Sequence, residues 1–345
     1  MTLAVRTPNW IGDCVMALPA LRLLESHLAP EDILLVTRPH LADLFTPPLV
    51  SPLHAHPLVR LPATGGWREV FSGSRRLRRS TAKSGLLLTN SFGSALMFRM
   101  AGIRRLTGFC RDGRDFMLTR RVAWTGDESR QVDAYMDLAA AHLGIPADPA
   151  PEPEWLVPDS FKDRVRRKLL DLCDRESAAW IGISPCAAYG QAKEWPHERY
   201  YELIQTVSAA HPLASILLFG AANDHERLAS LAAAAPGRTL NLARSLSLAE
   251  SIAAASLCRV FVTNDSGMMH VAAAVGTPVV AIFGPTDPRR YAPRSSAIRM
   301  LRQHTPCSPC KRRQCREHTC MRAISVSEVR EALETVARWS AADPR

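Results

Sequence analysis

Short aliphatic runs alternate with longer amphipathic stretches along almost the whole chain, and no other feature limits the fold so tightly. "TLAVRT" precedes the helical pattern "DCVMALPALRLLESHL", "DILLVTR" precedes "PHLADLF", and "SGLLLTN" precedes "SFGSALMFRMAG". Strands separated by helical crossovers pair in parallel, and a parallel sheet must be covered by helices on its faces. The rhythm stops at residues 147–158, "ADPAPEPEWLVP", which is proline-rich and non-periodic and reads as a linker. A helix, "DSFKDRVRRKLLDLCDRES", then leads into a second series: "WIGISP", "RYYELIQTVSAAH", "ASILLFG", "NDHERLASLAAAA", "RTLNLA", "SLAESIAAASLC", "RVFVTND", "SGMMHVAAAVG" and "PVVAIFG". The chain is therefore read as two α/β domains, residues 1–150 and 151–345. A final helix, "SVSEVREALETVARWSA", carries Val329, Leu333, Val336 and Trp339 on one face and is expected to close the second domain.

With 345 residues, 47% of them hydrophobic, the chain can bury a core in each half. Its first 30 residues lack the organisation of a secretory signal, and no run approaches the roughly 18 apolar residues that a membrane span needs. A cytosolic protein that does not cross the membrane is expected. Of nine cysteines, Cys14, Cys110, Cys173, Cys186 and Cys258 are scattered among apolar neighbours, which suits reduced, buried thiols. Net charge is +10, and residues 60–121 hold 14 Lys/Arg against Glu69, Asp112 and Asp115. A local excess of that size implies an anionic partner such as phosphate, nucleic acid or a membrane face, although any single arginine could be ordinary solvated surface.

In open α/β sheets, ligands sit outside the carboxyl ends of the strands, so the loops there are where chemistry is sought. "PNWIGDCVMALPALRLL" sets one carboxylate, Asp13, beside Gly12 at the mouth of an apolar run. In "VFVTNDSGMMHVAAAVG" a strand turns directly into a helix. Asp265, Ser266 and Gly267 fall at its start, where free N–H groups and the dipole favour a diphosphate; either side chain could equally be an N-cap. His270, one turn in, could reach the same anion or be a packed core histidine. Lys193, in "SPCAAYGQAKEWP", could neutralise a departing phosphate or be a solvated lysine. In "CSPCKRRQCREHTC", Cys307, Cys310, Cys315 and Cys320 are close enough to converge on one tetrahedral ion. Structural zinc is the expectation there, and partly oxidised or unpaired thiols the alternative.

Taken together these loops resemble the ADP-heptose:lipopolysaccharide heptosyltransferases, glycosyltransferase family 9, and within it the heptosyltransferase II branch. The matching stretches are "PNWIGDCVMALPALRLL", "TNSFGSALMFRMAGIRRLTGFCRDGR", "AYGQAKEWP", "LFGAANDHE", "TNDSGMMHVAAAVGTPVVAIFGPT" and "CSPCKRRQCREHTCM", in the family's order. The resemblance implies a GT-B fold, two Rossmann-like α/β/α domains facing each other across a cleft, the first binding acceptor and the second ADP-sugar. It implies an inverting transfer of heptose from ADP-heptose to a lipid A–core acceptor, at the second-heptose step, with no cofactor or metal in catalysis. Asp13 then corresponds to the catalytic base and Lys193 to a lysine facing the donor's phosphate and sugar. Glu226 corresponds to a ribose contact, and Asp265, Ser266, Gly267 and His270 to the nucleotide-sugar loop. Arg111 and Arg114, in "FCRDGRDF", become the leading acceptor contacts, since Arg pairs bidentately with phosphate. Cys186 and Glu194 depart from the family's usual glycine and basic residue. A protein of this kind would work in the cytoplasm, peripheral to the inner face of the inner membrane.

Rival readings come from other classes. The basic window and high pI suit a nucleic-acid-binding protein, but the window has few aromatics for base stacking and no nucleic-acid motif, so no nucleic-acid partner is expected. An epimerase or another nucleotide-sugar transferase could share the paired α/β architecture. A catalytically dead assembly partner would not need Asp13 and Lys193.

Overall fold

The computed structural model describes residues 2–49, 56–63, 65–124, 129–173, 177–295 and 297–338. The chain divides into two compact units, Met1–Leu156 and Val157–Arg345, with the division inside the proline-rich stretch.

In the first unit the strands are β1 (Leu3–Arg6), β2 (Ile33–Thr37), β3 (Leu58–Arg60), β4 (Ser84–Leu87), β5 (Arg105–Phe109) and β6 (Arg120–Val122). They form one sheet of order β3-β2-β1-β4-β5-β6, parallel throughout. The inner strands β1, β2 and β4 are buried along their length, whereas the edges β3 and β6 are half-buried to exposed, as a sheet covered on both faces requires. Its helices are α1 (Ile11–Met16), α2 (Leu18–Glu25), α3 (Trp67–Arg78), α4 (Phe92–Met100) and α5 (Gln131–Leu143). Val70 and Leu77 of α3 and Ala95 and Phe98 of α4 pack with Ala4, Leu34, Val36 and Leu87 on one face of the sheet. α2 packs against α5. The single helix expected over "DCVMALPALRLLESHL" is two helices that part at Ala17. Pro19 has no N–H to give and its ring crowds the carbonyl four residues back, so the chain restarts a helix with proline in its first turn. "PHLADLF" forms a 3-10 helix rather than an α-helix.

The second unit repeats the plan with β7 (Ala179–Ser184), β8 (Ala214–Leu218), β9 (Thr239–Asn241), β10 (Val260–Asn264), β11 (Val279–Phe283) and β12 (Ile298–Arg302). Their order is β12-β11-β10-β7-β8-β9, again all parallel. The helices are α6 (Asp159–Cys173), α7 (His197–Ala210), α8 (His225–Ala232), α9 (Leu248–Leu257), α10 (Gly267–Ala274), α11 (Pro288–Tyr291), α12 (Thr319–Arg322) and α13 (Val326–Ala337). Tyr200, Leu203 and Val207 of α7 and Val329 and Leu333 of α13 share one core with Ile183, Leu218, Val262 and Ile282. α13 is thus the expected closing element; Trp339 lies outside the described residues.

In both sheets the first three strands run one way from the centre and the next three the other, which is the doubly wound Rossmann order. The reversal falls between β1 and β4 in the first unit and between β7 and β10 in the second. Loops leaving those strands diverge and open a crevice at their carboxyl ends.

Candidate active site

Asp13 follows β1, at the first unit's switch point. Its helix is capped by Trp10 in extended backbone, with no side-chain cap, so Asp13 stands at the third helical position and is not the N-cap. The preceding loop is fixed by Arg6, whose fully buried guanidinium donates to the carbonyls of Thr7 (2.8 Å) and Val36 (3.3 Å) and to Asn9 Oδ1 (2.6 Å). Glu69 neutralises it at 3.3 Å and takes a second bond from Arg38 at 2.8 Å. Burial lowers the Arg6 pKa to about 10, against the pull of Glu69, so it remains a cation. From α5 the buried Tyr135 hydroxyl hydrogen-bonds both Asp13 and Gln131; burial, reinforced by the Asp13 charge, pushes the phenol's pKa well up. Arg6 and Tyr135 were not legible as site residues: an arginine inside a strand and a tyrosine inside a helix carry no local signature of what they hold.

The two arginines expected to meet the acceptor separate. Arg111 is exposed, with its guanidinium 4.7 Å from the centre of the Trp124 ring and Nε 3.5 Å from Asp112. Arg114 corrects the expectation. It is fully buried and donates to the carbonyls of Thr89 (2.5 Å) and Phe109 (3.1 Å) and to Asn90 Oδ1 (3.4 Å). Burial lowers its pKa to about 10. Its charge ties the loop after β4 to the end of β5 and is not presented to a ligand.

In the second unit the loops after β7 and β10 meet. Lys193 Nζ lies 2.5 Å from Asp265 Oδ2, and only 12% of the lysine side chain's surface is exposed, which removes the solvated-lysine alternative. Thr286 Oγ1, from the loop after β11, donates to the same oxygen at 2.6 Å. The Lys193 ammonium also lies 4.8 Å from the centre of the Tyr189 ring and 5.7 Å from that of Tyr291, within cation–π range. Ser266 holds the N-cap position of α10 without a side-chain capping bond, its hydroxyl pairing instead with Thr263 Oγ1 at 3.1 Å. Met269 N donates to the Ser266 carbonyl at 3.1 Å, and no side-chain oxygen caps the N–H groups of Gly267 and Met268, which favours the anion-cradle alternative. His270 is buried beside the pair; burial, with Lys193 adding to it and Asp265 opposing, lowers its pKa to about 4, so it is neutral at pH 7. Glu226 sits exposed in the first turn of α8.

Both departures from the family pattern have structural work. Glu194 is buried, accepts the Ala187 N–H at 3.0 Å and pairs with Arg227 of α8 at 2.7 Å, closing the 187–194 loop on itself. The partly buried Cys186 thiol, its pKa pushed up to about 12 by burial, hydrogen-bonds Asp224. Asn264, which no local pattern singled out, holds three segments together: its Oδ1 accepts from Trp195 N (3.0 Å) and Tyr200 Oη (2.9 Å), and its Nδ2 donates to the Pro185 carbonyl (2.7 Å).

The four clustered cysteines are not assembled as a tetrahedral set. Among the described residues no three His, Cys, Asp or Glu side chains are arranged to hold a metal ion. Cys307 is exposed, Cys310 and Cys315 half-buried and Cys320 buried. Burial, followed by the neighbouring thiols, raises the Cys320 pKa.

Paired Rossmann sheets, the second carrying a lysine–aspartate couple beside an uncapped helix at its switch point, define a nucleotide-sugar enzyme of the GT-B class. The family model for glycosyltransferase family 9 (heptosyltransferase) matches residues 70–321. The chain is 32% identical to lipopolysaccharide heptosyltransferase 2 of Escherichia coli K12 over 88% of both chains, and 29% identical to lipooligosaccharide heptosyltransferase 2 of Haemophilus influenzae over the same shares. The solved structure of the E. coli ADP-heptose LPS heptosyltransferase II superposes with a TM-score of 0.81 at 27% identity, covering 98% of this chain and 99% of that one. The chain belongs to glycosyltransferase family 9 and is a glycosyltransferase.

Proposed function

We propose that the protein transfers heptose from ADP-heptose to the inner core of lipopolysaccharide, at the second-heptose step, with inversion at the anomeric carbon. The relatives named for that step support the substrate class. The observation that carries the chemistry is the Lys193–Asp265–Thr286 cluster at the second unit's switch point.

In this reading the diphosphate of the donor lies against the first-turn N–H groups of α10 and the Lys193 ammonium. Fixed charges and dipoles of this kind stabilise the negative charge that builds on ADP as the C1–O bond breaks. Asp265 holds Lys193 in place and, with neutral His270 behind it, faces the sugar side of the loop; Glu226 contacts the ribose. The acceptor hydroxyl oxygen attacks C1 from the opposite side, Asp13 takes its proton, and ADP departs with the bonding electrons. Arg111 binds the acceptor's anionic groups. The exposed arginines of α3, Arg68, Arg75, Arg76 and Arg78, with exposed Trp67 and Phe71 among them, support peripheral contact with an anionic membrane. No described helix is long and apolar enough to cross a membrane.

Mass spectrometry of products from ADP-heptose and core acceptors carrying zero or one heptose tests the assignment. A gain of one heptose on the mono-heptosylated acceptor alone is the expected result. Conversion of ADP-heptose without acceptor would make the protein an epimerase, and exclusive use of the heptose-free acceptor would move it to the first transfer.

A further inference from the structure

The cysteine-rich segment 307–318 lies between two loops of the second unit and is hydrogen-bonded to both. On one side it meets the Lys193 loop. Tyr189 Oη donates to the Lys311 carbonyl (2.7 Å), Ala192 N donates to the Arg313 carbonyl (3.0 Å), and His318 Nε2 donates to the Gln191 carbonyl (2.9 Å). The approach is close enough that a Cβ on Gly190, itself at φ +148°, would collide with the Arg313 carbonyl oxygen. On the other side Cys310 N and Lys311 N both donate to the Pro285 carbonyl (2.9 and 2.8 Å), and Ser308 Oγ donates to that of Gly284 (2.6 Å). The first loop carries Lys193 and the second carries Thr286, and both side chains end on Asp265 Oδ2.

We propose that segment 307–318 is a positioning element of the transfer site, in which His318 and the backbone of residues 311–313 set the height of the Lys193 loop over Asp265. This rests on the role given to Lys193 above. His318 is built for the task. It sits in the left-handed region at φ +52°, its own N–H is accepted by Cys315 Sγ at 3.3 Å, and its buried imidazole donates across to a carbonyl two residues from Lys193. The Arg313 guanidinium, 5.1 Å from the centre of the Tyr189 ring, lies on the same aromatic residue as the Lys193 ammonium. A hydrogen bond from the segment therefore acts on catalysis through the lysine, with no need for the segment to touch substrate. A displacement of about 1 Å at a catalytic group can cost on the order of a hundredfold in rate.

The test is a double-mutant cycle on kcat with the full chain. His318→Ala should lower kcat at least about tenfold with little change in melting temperature, and His318→Gln, which keeps a donor, should recover much of it. Tyr189→Phe, which removes only the hydroxyl bond to Lys311, is the second, milder probe should His318→Ala fold poorly. In a Lys193→Ala background either substitution should cost less than about threefold, because the group it positions is gone. Full additivity in that background, or an unchanged kcat in both single variants, overturns the positioning role. Full activity of Lys193→Ala alone would instead overturn the role of Lys193 itself, so the two failures are told apart.

Discussion

The buried hydroxyl of Tyr135 on α5 hydrogen-bonds the carboxylate of Asp13 on α1. A donor aimed at a carboxylate stabilises its ionised form, the form a general base must have. Tyr135→Phe removes that donor at a cost of about 1 kcal/mol in stability. The acid limb of its kcat–pH profile should move to higher pH, so that the loss is larger at pH 6 than at pH 8. A uniform loss at all pH values would mean that Tyr135 only packs.

The different settings of Arg111, exposed, and Arg114, buried, make opposite demands. Arg114→Ala deletes three hydrogen bonds from a buried cation and should lower stability by about 2–4 kcal/mol, read as a lower urea midpoint. Arg111→Ala should leave the midpoint within about 0.5 kcal/mol of the parent and raise the acceptor KM with donor affinity unchanged. Unaltered acceptor KM in the Arg111 variant would move the acceptor's charge elsewhere on the first unit.

Burial holds His270 and His142 neutral, each with a pKa lowered to about 4. Between that value and about 6.5, where an unfolded histidine titrates, the unfolded chain binds more protons. The stability these residues contribute is therefore complete above pH 6.5 and is lost as pH falls toward 4. His56 works the other way: burial alone would lower its pKa, but bonds to Glu25 and to the Pro30 carbonyl raise it. Melting temperature should drop through this window in the parent and drop less in His270→Gln. An equal drop in both would show that His270 is protonated in the fold without penalty.

The zinc expected from the spacing of Cys307, Cys310, Cys315 and Cys320 remains a proposal that metal analysis can decide. Among the described residues no three such side chains are arranged to hold an ion, so binding would require the thiols to rearrange. One zinc per chain in reductively purified protein, with melting lowered by chelation, is the expected result. Neither zinc nor iron, with unchanged melting, would leave the four thiols with no metal to hold.

The double α/β architecture was legible because buried parallel strands are continuous apolar runs and their crossovers carry helical periodicity. The loops holding Asp13, Lys193 and Asp265 were legible because strand ends are where such sheets bind ligands. What escaped were bonds between residues far apart in sequence. Asn264 reaches Trp195 across 69 residues, and Trp195 reaches the Ile324 carbonyl across 129, neither with a local pattern to announce it. Arg114 was misplaced for a related reason. A charged residue in a glycine-containing loop is read as exposed unless the carbonyls that will surround it are known.

Asp13 carries the central claim, that its carboxylate accepts the acceptor's proton during transfer. Because Trp10 and not Asp13 caps α1, Asn at this position forfeits no capping bond and keeps an oxygen for Tyr135. Asn cannot accept a proton at neutral pH, and loss of a general base costs about 10²–10⁴ in rate. The decisive measurement is single-turnover heptose transfer by Asp13→Asn with saturating ADP-heptose and acceptor. The account predicts a rate at least about a hundredfold below the parent, with donor affinity and melting temperature nearly unchanged. A near-parental rate would contradict it and remove Asp13 from the chemistry.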